Sequence, residues 1–541
     1  MSAPIPTERP RGRHAAPASA DDFVIPDASI YDVLFGDLTE DELAATAIID
    51  GPSGAETSYG QLVRQIDLTA GALAARGIRV GSVVGVLCPN VPVFATVFHG
   101  ILRAGATATT INSLYTAREV ANQLRDADAH WLFTVSALLP HAAEAAVEVG
   151  IPKAQVIVID GADGHMSLAD LLAEGREAPE VQFDPAEHLA VLPYSSGTTG
   201  KPKGVMLTHR NLVANILQSQ THISLGRDDR VLAVLPFFHI YGMTVLLNYA
   251  LLQRASLVTV PKFDLPEFLR IVQDTKCTWV FVAPPIAVAL AKHPLVDQFD
   301  LSSVQVIFSG AAPLDGALAR SVQDRLDCIV CQGYGMTETS PVTHAVPTDR
   351  TDIDRSAIGL PLTATEARLV DPETGADVAA TDSGPSTPGE LLIRGPQVMK
   401  GYLNNPEATS EALDADGWLH TGDIASVDEN GIFTIVDRLK ELIKYKGYQV
   451  APAVLEAVLL SHPKIADAAV IGVPDDDGQE IPKAFVVRQP DAALTDAEVM
   501  EFVAANVAPH EKVRRVEFID VIPKSSSGKI LRKDLRAGVG H

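Results

Sequence analysis

The stretch Tyr194-Ser195-Ser196-Gly197-Thr198-Thr199-Gly200-Lys201-Pro202-Lys203-Gly204 concentrates hydroxyls, glycines and lysines directly after the apolar run Leu189-Ala190-Val191-Leu192-Pro193. Backbone N–H groups opened by glycine, short hydroxyl donors and cationic tips together suit a polyphosphate. Thr208, ahead of His209-Arg210-Asn211-Leu212, reads as a helix N-cap that adds a positive dipole end nearby. A Walker A loop is excluded: Gly197 and Gly200 enclose two residues rather than four, and Pro202 stands where Ser or Thr is required. The alternative is a flexible Gly/Ser/Thr linker. Two lysines and a proline packed between a strand and a helix favour phosphate.

Four further clusters carry possible chemistry. In Pro236-Phe237-Phe238-His239-Ile240-Tyr241-Gly242, His239 is either functional or a histidine packed among aromatics. In Gln332-Gly333-Tyr334-Gly335-Met336-Thr337-Glu338-Thr339, a glycine-flanked tyrosine offers a ring for a base. Glu338 is there a hard oxygen ligand suited to the Mg²⁺ that accompanies a triphosphate; a turn with a solvated glutamate is the alternative. Asp423 in Trp418-Leu419-His420-Thr421-Gly422-Asp423 can accept from both hydroxyls of a ribose, although this spelling also suits an ordinary turn. Finally, Asp437 to Gln449 and Pro523 to Lys529 supply positive charge that is either a binding surface or a solvated basic face.

These groups need a scaffold, and the chain alternates to provide one. Short apolar runs at Ser82–Cys88, Ala154–Asp160, Arg230–Leu235, Ser256–Val260, Thr278–Val282 and Val304–Phe308 read as strands. Val91–Ala104, Leu265–Lys276 and Leu314–Leu326 read as helices. Such alternation predicts a largely parallel, helix-layered sheet. After Ser340, Gly359–Val370, Gly389–Gly395 and Gly431–Val436 form a β-rich texture. Beyond Lys440, helices Ala453–Leu460 and Asp496–Val507 with strands Ala468–Val473, Lys483–Arg488 and Val516–Ile519 predict a compact α+β unit.

At 541 residues the chain exceeds one compact core. Its net charge of −25 argues against nucleic acid and anionic membrane surfaces as partners. No secretory apolar region or run of transmembrane length is present. The cysteines Cys88, Cys277, Cys328 and Cys331 read as small buried side chains rather than a zinc or redox pair, which points to a reducing cytoplasm. Residues 1–22, rich in Pro, Ala, Ser and Arg, read as a disordered tail.

Together the motifs resemble the acyl-adenylate-forming superfamily of acyl-CoA ligases, luciferase-type enzymes and peptide-synthetase adenylation domains, over about Tyr59 to Arg536. Ser309-Gly310-Ala311-Ala312-Pro313-Leu314, Val436 through Gly447 and Pro523 through Arg536 most resemble 4-coumarate–CoA ligases. The resemblance implies an α/β fold: a large N-terminal AMP-binding domain of helix-layered sheets, residues 23–437, with a β-rich subdomain at about 341–437. It further implies a hinge at 438–440 about Lys440 and a small mobile C-terminal α+β lid at 441–541. It implies that Ser195, Ser196, Gly197, Thr198, Thr199 and Lys203 hold the ATP phosphates, with Lys201 a solvated neighbour. Ala311, Gln332, Gly333 and Tyr334 would frame adenine, Thr337 and Glu338 would meet phosphate and Mg²⁺, and Asp423 and Arg438 would hold ribose. His239 would line the carboxylate end of an acyl pocket containing Tyr241, Val245, Phe308 and Gly310. Lys529 would serve adenylation. After rotation about the hinge, Lys444, Lys446, Gly447 and Gln449 would shape a thiol tunnel, with Lys262 contacting CoA.

The implied reaction joins a carboxylate to ATP as an acyl-AMP and then transfers the acyl group to CoA, with a carrier protein as the alternative thiol. A phenylpropenoate such as 4-coumarate or cinnamate leads, and a medium-chain fatty acid is the alternative. Plant 4-coumarate ligases carry serine at the position of Val245, four residues after Tyr241, and lysine at Phe308. Both departures make the pocket more apolar, and a buried hydroxyl left without a partner costs ~1–3 kcal/mol. Cinnamate or a medium-chain acid is therefore expected ahead of 4-coumarate, with the Tyr241 hydroxyl as a remaining partner for a phenol. A luciferase-type oxygenase or a non-catalytic nucleotide-binding protein are the other readings.

Overall fold

The computed structural model describes residues 23–195, 202–445, 448–475, 480–490, 492–525 and 528–538, with residues 448 and 449 described by backbone alone. The expected tail, residues 1–22, lies outside them.

Runs that are apolar on both faces pair in parallel, where helices can cover each side. They form two sheets rather than one. The first has nine strands, in the order Leu360–Pro361, Val342–Ala345, Ile329–Gly335, Val306–Ser309, Trp279–Val282, Arg230–Ala233, Ser256–Thr259, Thr46–Asp50 and Glu56–Ser58. It is parallel from Ile329–Gly335 to Thr46–Asp50 and antiparallel at both ends. The second has eight: Gly401–Tyr402, Lys203–Thr208, Leu189–Val191, Thr107–Thr110, Val83–Leu87, Trp131–Thr134 and Val156–Val158, with Tyr194–Ser195 paired alongside Lys203–Thr208. Residues of both sheets and the helices between them share one apolar core.

Local signals set the helix starts. Thr208 accepts from the Asn211 N–H, and the Asn211 side chain accepts the Thr208 N–H in return, opening the helix His209–Ser219. Ser58 opens Tyr59–Ala75 in the same way, a helix upstream of the alternation read from the sequence.

The texture change after Ser340 corresponds to a five-stranded antiparallel sheet of Asp377–Val378, Glu366–Val370, Gly389–Arg394, Leu419–Val427 and Phe433–Arg438. Further on, helices Pro452–Ser461 and Asp496–Asn506 pack on the three-stranded sheet of Ile465–Pro474, Glu480–Arg488 and Arg515–Phe518 around a core of their own. Here Arg532 grips Glu456 with bonds of 2.7 and 2.8 Å to its two carboxylate oxygens. Asp437 accepts the Ala453 N–H at 2.9 Å, which ties the five-stranded sheet to the helix Pro452–Ser461.

All four cysteines are buried and free. Burial pushes the Cys328 and Cys331 thiols up to about 12, so the C-x-x-C behaves as packing.

Candidate functional site

Strand pairing delivers the borders of the phosphate-type loop. Ser195 faces Lys203 across an antiparallel pair, and the Ser195 hydroxyl donates to Glu338 Oε1 at 3.1 Å. Tyr402 donates to the same oxygen at 2.8 Å, and its ring lies 4.3 Å beneath the Lys203 ammonium. Tyr194 donates to Asp126 at 2.6 Å, anchoring the loop's entry. Ser196, Gly197, Thr198, Thr199 and Lys201 lie outside the described residues, as do Lys446 and Gly447.

The acid-side cluster sits on an unusual helix. Tyr241–Asn248 is wound as a π-helix, a form rare elsewhere and frequent at functional sites. Gly242 permits it, because a Cβ there would stand 2.1 Å from the Pro236 carbonyl oxygen. His239 Nδ1 accepts the Tyr241 N–H at 3.2 Å, which leaves the other ring nitrogen to carry the proton of a neutral imidazole. Burial, then the positive charge of Lys529, lowers the His239 pKa to about 4. The Tyr241 ring covers Gly310, where a Cβ would meet it at 2.7 Å. Its hydroxyl donates to the Phe308 carbonyl at 3.3 Å, which uses its proton and leaves its lone pairs as acceptors. Val245 is fully buried, and Phe308 packs against Phe281, which in turn stacks on Trp279.

The nucleotide-side residues lie on or just after four strands, Val306–Ser309, Ile329–Gly335, Leu419–Val427 and Phe433–Arg438. Ala311 holds a left-handed φ of +72°, a strained state for a residue with a Cβ. Tyr334 donates to Asp423 Oδ2 at 2.5 Å, while Arg438 Nε pairs with Asp423 Oδ1 at 3.1 Å from the neighbouring strand. Gln332 is turned inward. Its side chain is buried and bonded to the backbone of Leu314 and Arg355, which fixes the strand that also carries Gly333 and Tyr334. Gly333 keeps the sheet open to close packing, since a Cβ there would meet Phe308 at 2.9 Å. Thr337 opens the turn that carries Glu338 and is half-buried.

Lys529 enters from the C-terminal unit on a tight loop. Ser525 donates its N–H to the Lys529 carbonyl at 2.8 Å, and its hydroxyl accepts the Lys529 N–H at 3.1 Å. Gly528 presses the loop onto Ala283 and Pro285. Desolvation first, then Arg438, lowers the Lys529 pKa to about 8, against the opposing pull of Asp423, Glu338 and Glu441. Lys529 thus joins Asp423, Arg438, Glu338 and His239 in one electrostatic neighbourhood. Lys262, Lys440 and Lys444 are solvent-exposed; the Lys444 strand Ile443–Tyr445 pairs with Tyr448–Val450, setting Lys444 opposite Gln449. These residues are not gathered around Lys529 by any contact among the described residues.

Glu338 is 6% exposed, and among the described residues the two hydrogen bonds to its carboxylate fall on one oxygen. The other oxygen, a hard donor, has no hydrogen-bond partner among the described residues. No group of three or more acidic, His or Cys side chains suited to a metal occurs among the described residues. One carboxylate completed by substrate phosphates is the pattern that suits Mg²⁺, and the residues fit it. Sequence reasoning missed Tyr402 and Asp126. Only a motif linking residues far apart in the chain could have signalled them. A separate cavity of about 440 Å³, lined by Tyr31, Arg103 and Phe183 among others, includes none of the expected site residues.

Residues 39–403 match the family model described as AMP-binding enzyme, and residues 454–529 match the AMP-binding enzyme C-terminal domain. The chain is 42% identical over 527 residues to 4-coumarate--CoA ligase 5 of Oryza sativa subsp. japonica, covering 95% of this chain and 96% of that protein. It is 39% identical over 545 residues to 4-coumarate:CoA ligase 1 of Petunia hybrida, covering 99% and 98%. Among solved structures, ATP-bound MatB from Rhodopseudomonas palustris superposes with a TM-score of 0.84 at 31% identity, over 95% of this chain and 99% of that one. The anthranilate CoA ligase AuaEII in complex with anthranoyl-AMP gives 0.88 at 27% identity, over 96% and 98%.

Proposed function

The chain belongs to the AMP-binding enzyme family, and from that premise we propose that it is an ATP-dependent acid–CoA ligase acting on a phenylpropenoate. A carboxylate oxygen of the acid attacks the α-phosphorus of ATP, the bond to pyrophosphate breaks, and acyl-AMP forms. The CoA thiol, losing its proton, then attacks the acyl carbonyl and AMP leaves. The first step brings anions together, so its barrier falls where cations face the developing charge.

The observation that carries this reading is the Asp423 carboxylate held by Tyr334 and Arg438, together with the Glu338 carboxylate held by Ser195 and Tyr402, both within the electrostatic reach of Lys529. Lys529 is assigned to the acid carboxylate and α-phosphate. Lys203 and the hydroxyls of the 195–199 loop are assigned to the leaving pyrophosphate. Asp423, held by Tyr334 and Arg438, takes ribose hydroxyls, and Ala311, Gly333 and Tyr334 frame adenine. Neutral His239 offers its remaining N–H to the carboxylate end of the acid. Thr337 and Glu338 are the residues for phosphate and Mg²⁺; when bound, the ion supplies charge neutralisation between the phosphates.

For the thiol step, the C-terminal unit, residues 441–541, turns about 438–440 at Lys440. The turn withdraws Lys529 and brings the Lys444–Gln449 hairpin to the site, with Lys262 on the CoA side. CoA is the acceptor, and a carrier protein is the alternative. The relatives named for 4-coumarate support a phenylpropenoate. Val245 and Phe308 favour cinnamate over 4-coumarate, with a medium-chain acid as the second reading. The free, buried cysteines are in keeping with a reducing cytoplasm. Among the described residues no helix is long and apolar enough to cross a membrane.

The test is acid-dependent ATP–pyrophosphate exchange across a panel of phenylpropenoates and fatty acids, with thioester formation measured with and without CoA. Exchange with cinnamate, and thioester only when CoA is added, is expected. An absence of exchange with every acid ends the ligase reading.

A further inference from the structure

Lys203 and Glu338 carry opposite charges at the border of one loop, yet they form no ion pair; Tyr402 stands between them. Its ring faces the Lys203 ammonium at 4.3 Å, and its hydroxyl donates to Glu338 Oε1 at 2.8 Å. The side chain is 8% exposed, so neither contact is loosened by water.

The backbone around Tyr402 is stitched to both partners. Met399 donates its N–H to the Glu338 carbonyl at 2.8 Å, and Leu403 donates to the Gly204 carbonyl at 2.8 Å, one residue beyond Lys203. Between them Gly401–Tyr402 forms an edge strand against Met206 and Val205, and the Tyr402 N–H is taken by the Thr409 hydroxyl at 2.9 Å. The backbone that carries the ring is therefore fixed relative to the segments that carry both charges.

We infer that Tyr402 is a positioning residue that separates Lys203 from Glu338 and aims both outward, so that they serve ligand charges instead of neutralising each other. The inference rests on the reading of Lys203 as a phosphate group and Glu338 as a metal group. A cation–π face holds an ammonium while leaving its N–H donors free for phosphate. A hydroxyl bonded to one carboxylate oxygen leaves the second free for a hard cation. Removal of the ring allows the ammonium to fall onto the carboxylate, which would close both functions together.

Two variants separate the arms. Tyr402→Phe keeps the ring and loses the hydroxyl; metal-free ATP binding measured by calorimetry should match the parent. Its half-saturating Mg²⁺ concentration for pyrophosphate exchange should rise about five- to tenfold, the scale of one lost hydrogen bond. Tyr402→Leu should weaken metal-free ATP binding by about tenfold as well, the scale of a desolvated cation–π contact. In both variants, conversion of supplied acyl-AMP to thioester should remain within a factor of about two, a readout that general damage to the fold would move. Unchanged ATP binding and Mg²⁺ response in Tyr402→Leu, or an equal fall in the thioester step, overturns the inference. Lys203→Ala and Glu338→Gln run beside them separate the two levels. If these leave ATP binding and Mg²⁺ response unaltered, the reading of those residues is what has failed, and the inference goes with it. If they respond and the Tyr402 variants do not, only the positioning role is lost.

Discussion

Lys292 donates from its Nζ to the Leu460 carbonyl at 2.8 Å, so a lysine of the helix Pro284–Lys292 caps the end of the helix Pro452–Ser461 in the C-terminal unit. Carbonyls at a helix C-terminus lack helical partners and carry the negative end of the dipole. Burial lowers the Lys292 pKa below the usual lysine value, a cost incurred in the arrangement that also presses Gly528 onto Ala283. The contact belongs to the state in which Lys529 is inserted.

It follows that Lys292→Met disfavours that state. Acyl-AMP formation should slow by about threefold to tenfold, from the loss of one charged hydrogen bond, while thioester formation from supplied acyl-AMP holds or rises. Quenched-flow measurement of the two half-reactions decides it, and a parallel fall in both removes Lys292 from the conformational balance.

Lys529→Ala should reduce acyl-AMP formation by about a hundredfold or more, the scale of a lost charge at a phosphoryl transition state, yet leave thioesterification of supplied acyl-AMP largely intact. Lys444→Ala should show the opposite bias. Equal losses in both steps for both variants would sink the division of the chain between two half-reactions.

The lowered Lys529 pKa gives a pH signature. Desolvation depresses it from 10.5 to about 8, so the ammonium is present below that pH and is lost as pH rises through it. Adenylation at saturating substrates should therefore decline above about pH 8. Lys529→Arg, whose cation does not titrate there, should be slower throughout but free of that decline. A wild-type rate that stays level to pH 10, well past the value of about 8, would count against a charged Lys529 in the reaction.

The acid pocket offers a direct specificity test. Val245 is one turn beyond Tyr241 and fully buried. Val245→Ser supplies a hydroxyl that should raise the kcat/KM ratio of 4-coumarate to cinnamate by about tenfold, the scale of a buried hydrogen bond of ~1–1.5 kcal/mol. An unmoved ratio takes Val245 out of the recognition of the ring's far end.

Much of the fold was legible because its signals are local. Thr208 announces the helix His209–Ser219 by its own side chain, and the β-branched runs at Arg230, Ser256 and Trp279 form strands wherever a parallel sheet can bury them. The candidate residues Ser195, Lys203, Glu338 and Asp423 were likewise picked out by residue type. Less legible were the two-sheet division and the π-helix at Tyr241, which depend on what packs above Gly242 and Gly310.

By itself, then, the amino-acid order determined the elements, their caps and the inventory of groups able to meet a carboxylate and a polyphosphate. Tertiary structure alone decided their use. Gln332 turns inward to two backbone segments, and the Tyr241 hydroxyl is taken by Phe308. Tyr402 reaches Glu338 across 64 residues, and Lys292 reaches Leu460 across 168. Propensity and periodicity act over a few residues, whereas these contacts arise from strand register and from the docking of separately folded units, whose outcome no short window contains.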